Sequence, residues 1–177
     1  MDHSDHVKLL RDGVLPGGEQ VWADFGAGWG AFTLALADLL DRPASIHAID
    51  QNRAELGRLQ RSMMERFPQV NLITHPADFN QALDLPPLDG LVMANSLHFQ
   101  TDHLATVQRL ARYLKPSGRF LIVEYNIKKS RPWVPYPVSY GRWQHLADQA
   151  ALGETRKLGS RPSRSTREIY SAGSWRN

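Results

Sequence analysis

Asp24, Gly26, Gly28 and Gly30 stand at alternate positions in Val21-Trp22-Ala23-Asp24-Phe25-Gly26-Ala27-Gly28-Trp29-Gly30, and a second acid, Asp50, follows 20 residues after Gly30. Glycine takes positive φ without strain and leaves no Cβ between the backbone and a bound molecule, so this spacing lets the chain approach a ligand closely. The residues before the glycines are mostly apolar with strand character, and Ala31-Phe32-Thr33-Leu34-Ala35-Leu36-Ala37 after them has the spacing of a helix. The glycines therefore occupy a strand-to-helix turn, where the first N–H groups of the helix are free to meet an anionic group. Ser45-Ile46-His47-Ala48-Ile49-Asp50 reads as a second strand whose terminal carboxylate is placed to take the two hydroxyls of a ribose.

A chain of 177 residues, 42% of them hydrophobic, can bury one α/β core, and a single domain over 1–177 is expected. No apolar run is long enough to span a bilayer, and the N-terminus lacks the basic-then-apolar order of a signal peptide. These features predict a cytoplasmic protein with no membrane partner. With no cysteine there is neither a disulfide framework nor a thiolate nucleophile. Charge is uneven: from Asn126 onward 10 Lys and Arg face 3 acids, giving +7, while the remainder, 11 against 15, carries −4. A basic half suits an anionic substrate or carrier, and a solvated basic face fits equally well.

Ser4 is placed to cap an N-terminal helix that Gly13 and Leu15-Pro16-Gly17-Gly18 end; residues 1–16 are expected to form a lid or an entry helix ahead of the first strand, with His3 and His6 as mobile surface residues. No metal site is predicted. A helix over 30–40 leads to the second strand, and Asn52 can cap a third helix with Ala54, Leu56, Leu59, Met63 and Phe67 on one face; Met63 and Met64 read as core filler. Strands follow over 70–75, over 89–95 and, after a helix capped by Thr101 or Asp102, over 119–125. Residues 126–145 form a proline- and cation-rich linker and the start of a helix on the substrate side, carrying Trp133, Tyr136, Tyr140 and Trp143. Runs over 154–159 and 167–172 fit a terminal hairpin. Five strands alternating with helices and then a hairpin predict an α/β, Rossmann-like three-layer sandwich: a seven-stranded, mostly parallel sheet with one antiparallel strand in the C-terminal hairpin.

Read as Gly26-x-Gly28-x-x-Ala31, the turn fits the dinucleotide fingerprint. Read as Asp24-x-Gly26-x-Gly28-x-Gly30, it resembles the first motif of the class I S-adenosylmethionine-dependent methyltransferases. Asp24 favours the second reading, because a carboxylate at the end of a buried strand needs a partner and in that family serves the amino end of the methionine moiety. Leu114-Lys115-Pro116-Ser117-Gly118-Arg119-Phe120 is similar to the family's turn before the fifth strand, where a glycine often stands in place of Ser117. The resemblance runs from about Leu15 to the C-terminus, and its specific motifs lie between Val21 and Phe120. It implies S-adenosyl-L-methionine as cofactor. Asp24, Gly26, Gly28 and Gly30 would line its methionine and ribose side, Asp50 the ribose hydroxyls, Asp78 and Phe79 the adenine, and Asn95 and Ser96 the strand edge below the sulfonium.

The reaction implied is attack of a substrate lone pair on the sulfonium methyl, for which the protein aligns the reactants and, where the acceptor is a hydroxyl or protonated amine, removes a proton. His98 is the candidate base, because it follows the fourth strand and imidazole titrates near neutral pH. Glu124, closing the fifth strand, is its rival, and an edge histidine also serves as a pocket wall. Trp133, Tyr136, Tyr140 and Trp143 could stack on a planar or cationic acceptor, or seal the linker against the sheet. Asn95 is followed by Ser96-Leu97-His98 rather than by Pro-Pro-aromatic, which disfavours adenine-N6 chemistry. The leading expectation is methyl transfer to an oxygen or nitrogen of a small molecule, an anionic one among the candidates. An RNA or protein methyltransferase, a nicotinamide oxidoreductase and an inactive cofactor-binding protein stand as alternatives, with nucleic acid not favoured because no module for it is present. Oligomeric state is not legible.

Overall fold

The computed structural model describes residues 1–15, 17–40, 43–163 and 166–176. Its elements are α1 (His3–Leu10), β1 (Gln20–Phe25), α2 (Ala31–Leu39), β2 (Ala44–Asp50), α3 (Arg53–Arg66), β3 (Val70–Pro76), β4 (Leu88–Ala94), α4 (His103–Ala111), β5 (Leu114–Tyr125), α5 (Tyr140–Gln149), β6 (Leu152–Ser163) and β7 (Arg167–Arg176). The seven strands form one sheet in the order β3-β2-β1-β4-β5-β7-β6. β1 to β5 are parallel, and β7 runs antiparallel to both β5 and β6, as the sequence predicts. Strand order reverses between β1 and β4, so their carboxyl ends diverge into a crevice.

Period-two alternation divides the core between the two faces of the sheet. Trp22, Val92, Leu121 and Val123 pack with α1, α2 and α3; Ala23, Phe25, Met93 and Phe120 pack with α4 and α5. Gly90 makes room for the indole of the neighbouring strand: a Cβ there would lie 2.3 Å from Trp22. Asn52 caps α3 as expected, accepting from the N–H groups of Ala54 and Glu55. No described helix is long and apolar enough to cross a membrane.

Several local expectations are corrected. Asp2, not Ser4, caps α1, through a capping box with Asp5, and Ser4 donates its hydroxyl to Asp2 at 3.0 Å. α1 is a packed element rather than a lid, since Val7, Leu9 and Leu10 enter the first core. His6 is buried against Phe32 and His3 bonds Asp38 at 2.9 Å, so neither is a mobile surface residue. Met64 is 76% exposed, because only Met63 lies on the buried side of α3. The β3–β4 crossover, 77–87, contains no helix, which interrupts the predicted strand–helix alternation; Leu83 and Leu85 pack directly against the second core instead. The hairpin strands are longer than predicted, and Pro16 and residues 164–165, between the two hairpin strands, lie outside the described residues.

Candidate functional site

Gly26, Gly28 and Gly30 all have positive φ, but for different reasons. A Cβ on Gly26 would lie 2.6 Å from the Cβ of Ser96, and one on Gly30 would lie 2.2 Å from Cδ1 of Leu59. Those two glycines serve the protein's own packing, of β1 on the loop after β4 and of the turn on α3. A Cβ on Gly28 would meet nothing within 4 Å, so this position faces open space. The Gly28 N–H donates to Oδ2 of Asp50 at 2.8 Å, and Oδ1 of Asp50 accepts from the Asn52 N–H at 2.8 Å. Each carboxylate oxygen has a second lone pair, so Asp50 can brace the turn and α3 while still accepting from two hydroxyls.

Asp24 lies below the turn, 1% exposed, and accepts from the Thr33 hydroxyl at 2.6 Å. Burial raises its pKa to about 6; the Thr33 hydroxyl opposes the shift, and the neighbouring charge of Asp50 adds to it. Above the turn, a cavity of about 240 Å³ opens at the carboxyl ends of β1, β2 and β4. Gly26, Asp50, Phe79, Asn95 and Ser96, all anticipated, line it; Gln51, Phe99 and Gln100 line it as well and were not anticipated. Their signal was position alone, next to Asp50 or just beyond the fourth strand. Asn95 has φ 52° at the end of β4, and its side-chain Oδ1 is buried without a partner. The Ser96 hydroxyl donates to the Phe25 carbonyl at 2.8 Å, tying the loop to β1. Asp78 is not among the residues that line the cavity; its carboxylate accepts from the Asn80 N–H at 2.8 Å, closing a turn.

His98 and Glu124, read as rivals, are partners. The Nδ1 of His98 lies 2.6 Å from Oε2 of Glu124, and the His98 backbone N–H donates to Oε1 at 3.2 Å. His98 is 2% exposed and Glu124 fully buried. The ring sits between Phe99, which lines the cavity, and Tyr125, with centroids at 4.3 and 5.8 Å. Burial, with the Glu124 charge second, raises the pKa of Tyr125.

Residues 23–118, more than half of the chain, match the family described as a methyltransferase domain. The chain belongs to this family. No curated protein matches it. Among the solved structures it is similar to YcgJ from Bacillus subtilis, at 14% identity and a TM-score of 0.76 over 99% of both chains. It is also similar to the N-methyltransferase NodS from Bradyrhizobium japonicum WM9 in complex with S-adenosyl-L-homocysteine, at 18% identity and a TM-score of 0.74 over 98% of this chain and 85% of NodS. Magnesium protoporphyrin IX methyltransferase ChlM from Synechocystis PCC 6803, with bound SAM, is 18% identical with a TM-score of 0.69, over 98% of this chain and 77% of ChlM. At these identities the likeness speaks for the fold, and the resemblance to class I methyltransferases is borne out.

The aromatics expected at the substrate side of this methyltransferase divide into two pairs. Trp133 and Tyr136 are 50% and 43% exposed in the loop that follows β5. Trp143 is fully buried against Phe120, centroids 5.1 Å apart, and Tyr140 stands edge-on to Tyr170 at 5.6 Å. Both belong to the second core, because Tyr140, Trp143 and Ala147 share the face of α5 turned to the sheet, which corrects their assignment to a substrate. A cavity of about 670 Å³ between α4 and α5, beside Arg142 and His103, contains none of the anticipated residues.

The site fits an adenosyl sulfonium cofactor on three observations: space beside Gly28, spare acceptor capacity on Asp50, and an acceptor on Asn95 that no described residue satisfies. An unmet buried acceptor costs about 1–3 kcal/mol, which a ligand donor would recover.

Proposed function

We propose that this methyltransferase transfers a methyl group from S-adenosyl-L-methionine to an oxygen or nitrogen of a small-molecule acceptor, with His98 as general base and Glu124 as its positioning residue. The observation that carries the reading is the buried, unpartnered Oδ1 of Asn95, a residue that lines the cavity together with Asp50 and Phe79. When bound, the cofactor supplies a sulfonium methyl already activated for in-line displacement. Asp50 accepts the ribose hydroxyls, Phe79 packs beside the adenine, and Asn95 accepts an N–H of the ligand. Asp24, with a pKa of about 6, is mostly ionised above neutral pH and balances the ammonium end of the methionine moiety.

Glu124 on Nδ1 favours the His98 tautomer whose Nε2 carries the lone pair, and that atom takes the proton from the acceptor's O–H or N–H. Hydrogen bonds of this kind are often long before ligands bind and shorten in the complex. Trp133 and Tyr136, exposed in the loop after β5, offer ring faces to the acceptor.

Two measurements test the reading. The melting temperature should rise with S-adenosylhomocysteine and stay unchanged with NAD or NADP, since a ligand bound only by the folded state stabilises it. Label from the S-adenosylmethionine methyl should enter a metabolite extract with the native protein and fail to do so with Asp50→Ala. No shift with S-adenosylhomocysteine would remove the cofactor; a shift without labelling would reduce the protein to a binder.

A further inference from the structure

The exposed aromatic side chains of the described residues gather on one edge of the molecule. They are Trp29, 57% exposed, Phe99, 57%, Trp133, 50%, and Tyr136, 43%. They stand in the loops that follow β1, β4 and β5, three strands that are adjacent and parallel, so all three loops leave the sheet at the same end. The Tyr136 N–H donates to the His98 carbonyl at 3.0 Å, which joins two of these loops. The other large apolar side chains with comparable exposure, Met1, Leu15 and Met64, are scattered singly, as on an ordinary surface.

The loop after β5 is built to present its rings. Val134 and Val138 are fully buried, and Arg131 and Val134 exchange two backbone hydrogen bonds of 3.0 Å, while Trp133 and Tyr136 between these anchors face outward. Prolines 132, 135 and 137 limit the freedom of the segment. Lys128, Lys129 and Arg131 are exposed in the same loop, with no acid between 126 and 137. None of the three has a carboxylate partner among the described residues, whereas Lys115, Arg156, Lys157 and Arg161 elsewhere are paired with Asp89, Glu154, Glu168 and Asp5.

We infer that this edge docks on the surface of an anionic lipid bilayer, with Trp133, Tyr136 and Phe99 entering the headgroup region and Lys128, Lys129 and Arg131 meeting lipid phosphates. Amphipathic rings partition to the membrane interface, and a basic cluster adds the second attraction that a stable peripheral contact needs. The contact is peripheral, so it does not depend on a spanning helix, and it revises the expectation of no membrane partner. A single-stranded nucleic acid would need cations tracking its backbone along a groove, whereas these three sit in one loop. Docking would share Trp133 and Tyr136 with the proposed acceptor side and Phe99 with the cavity lining; its corollary, that the acceptor is an amphiphile reached from the bilayer, rests on the proposed methyl transfer.

The test is co-sedimentation of the full chain with vesicles of equimolar phosphatidylcholine and phosphatidylglycerol, compared with phosphatidylcholine alone, at about 0.1 M salt. Binding is expected to the anionic vesicles and to be roughly tenfold or more weaker to the neutral ones. The combined variant Lys128→Gln, Lys129→Gln, Arg131→Gln should lose roughly a hundredfold in affinity, at about fivefold per cation. Trp133→Phe should remove most of the blue shift in tryptophan emission on vesicle addition. Because that variant leaves the charges in place, it keeps the inference testable should the triple variant misfold. Absence of pelleting with anionic vesicles, equal binding by the folded triple variant, an unchanged blue shift in Trp133→Phe, or retention on RNA without vesicle binding would each overturn it.

Discussion

The two ends of the sheet carry cavities that differ in chemistry more than in size. At the amino end of the strands a cavity of about 400 Å³ is lined by Gln20, Trp22, Asp89, Lys115 and Arg119 among others. Its polar groups answer one another. Asp89 accepts from the Val21 N–H and from Lys115, both at 2.8 Å, Arg119 donates to the Gly13 carbonyl at 2.7 Å, and the Trp22 indole N–H donates to Gln20 at 2.9 Å. At the carboxyl end the cavity is smaller, about 240 Å³, yet it holds an unmet acceptor on Asn95 and stands over Asp24, a carboxyl group displaced from its ordinary pKa. A fold stabilised at one end leaves its polar groups underused at the other, and the underused end is where a ligand has something to gain.

The sharpest break in that comparison lies inside the glycine turn. Gly26→Val forces a branched side chain into Ser96 at φ 80°, and should cost about 4 kcal/mol, read as a fall in melting temperature of roughly 10 °C. A Cβ at Gly28 has no protein atom within 4 Å, so Gly28→Val should cost about 2 kcal/mol, mainly from backbone strain. It should nevertheless abolish the stabilisation by S-adenosylhomocysteine. Retained stabilisation in Gly28→Val would place the ligand elsewhere.

Asp24 sets stability against binding. The folded protein holds its proton more tightly than the unfolded chain does, because burial raises the pKa from 3.8 to about 6. Stability from this group is therefore fullest below about pH 4 and falls by about 3 kcal/mol as pH rises to 6, then stays level. Asp24→Asn removes the titration while keeping a partner for Thr33, so it should be more stable than the native protein above pH 6, by up to about 3 kcal/mol, with the gain fading below pH 4. The same variant should bind S-adenosylhomocysteine more weakly at pH 8. Denaturant melts between pH 4 and 8 check the first expectation and calorimetry the second. Next in size, Glu124→Gln should lower kcat about a hundredfold with little change in the cofactor's KM, and should displace the pH–rate profile. An unmoved profile would make the pair with His98 a packing device only.

What the sequence revealed follows the range of the interactions involved. The glycine turn and Asp50 are legible because a strand, a turn and a helix start are written in contiguous residues. The pairing of His98 with Glu124 is not, since it spans 26 positions and depends on β4 and β5 aligning Ala94 with Val123. Asn95 stands at the end of β4, where the fourth strand was expected to close, but its orphaned oxygen goes with a left-handed backbone that no local pattern signals. Trp133 and Trp143 show the same limit from the other side. The sequence offered both rings to the acceptor, whereas the fold buries Trp143 with Leu146 and Ala147 on one face of α5 and the buried Val134 turns Trp133 outward. His6 was misread because its neighbour Phe32 comes from another helix.

Ser117 gives the smallest effect and tests whether the amino end serves the fold alone. It stands in the irregular stretch of β5 where the pairing with β4 jumps from Leu114 to Arg119, at φ 62°, on the rim of the amino-end cavity. A non-glycine residue in that conformation is strained by about 1 kcal/mol, part of which glycine returns as extra freedom of the unfolded chain. Ser117→Gly should therefore stabilise the protein by about 0.5 kcal/mol, a rise in melting temperature of roughly 1–2 °C. Binding of S-adenosylhomocysteine should be unaltered in the same variant. A change in cofactor affinity on this substitution would mean that the two ends of the sheet are coupled, and that the well-paired end contributes to function as well as to stability.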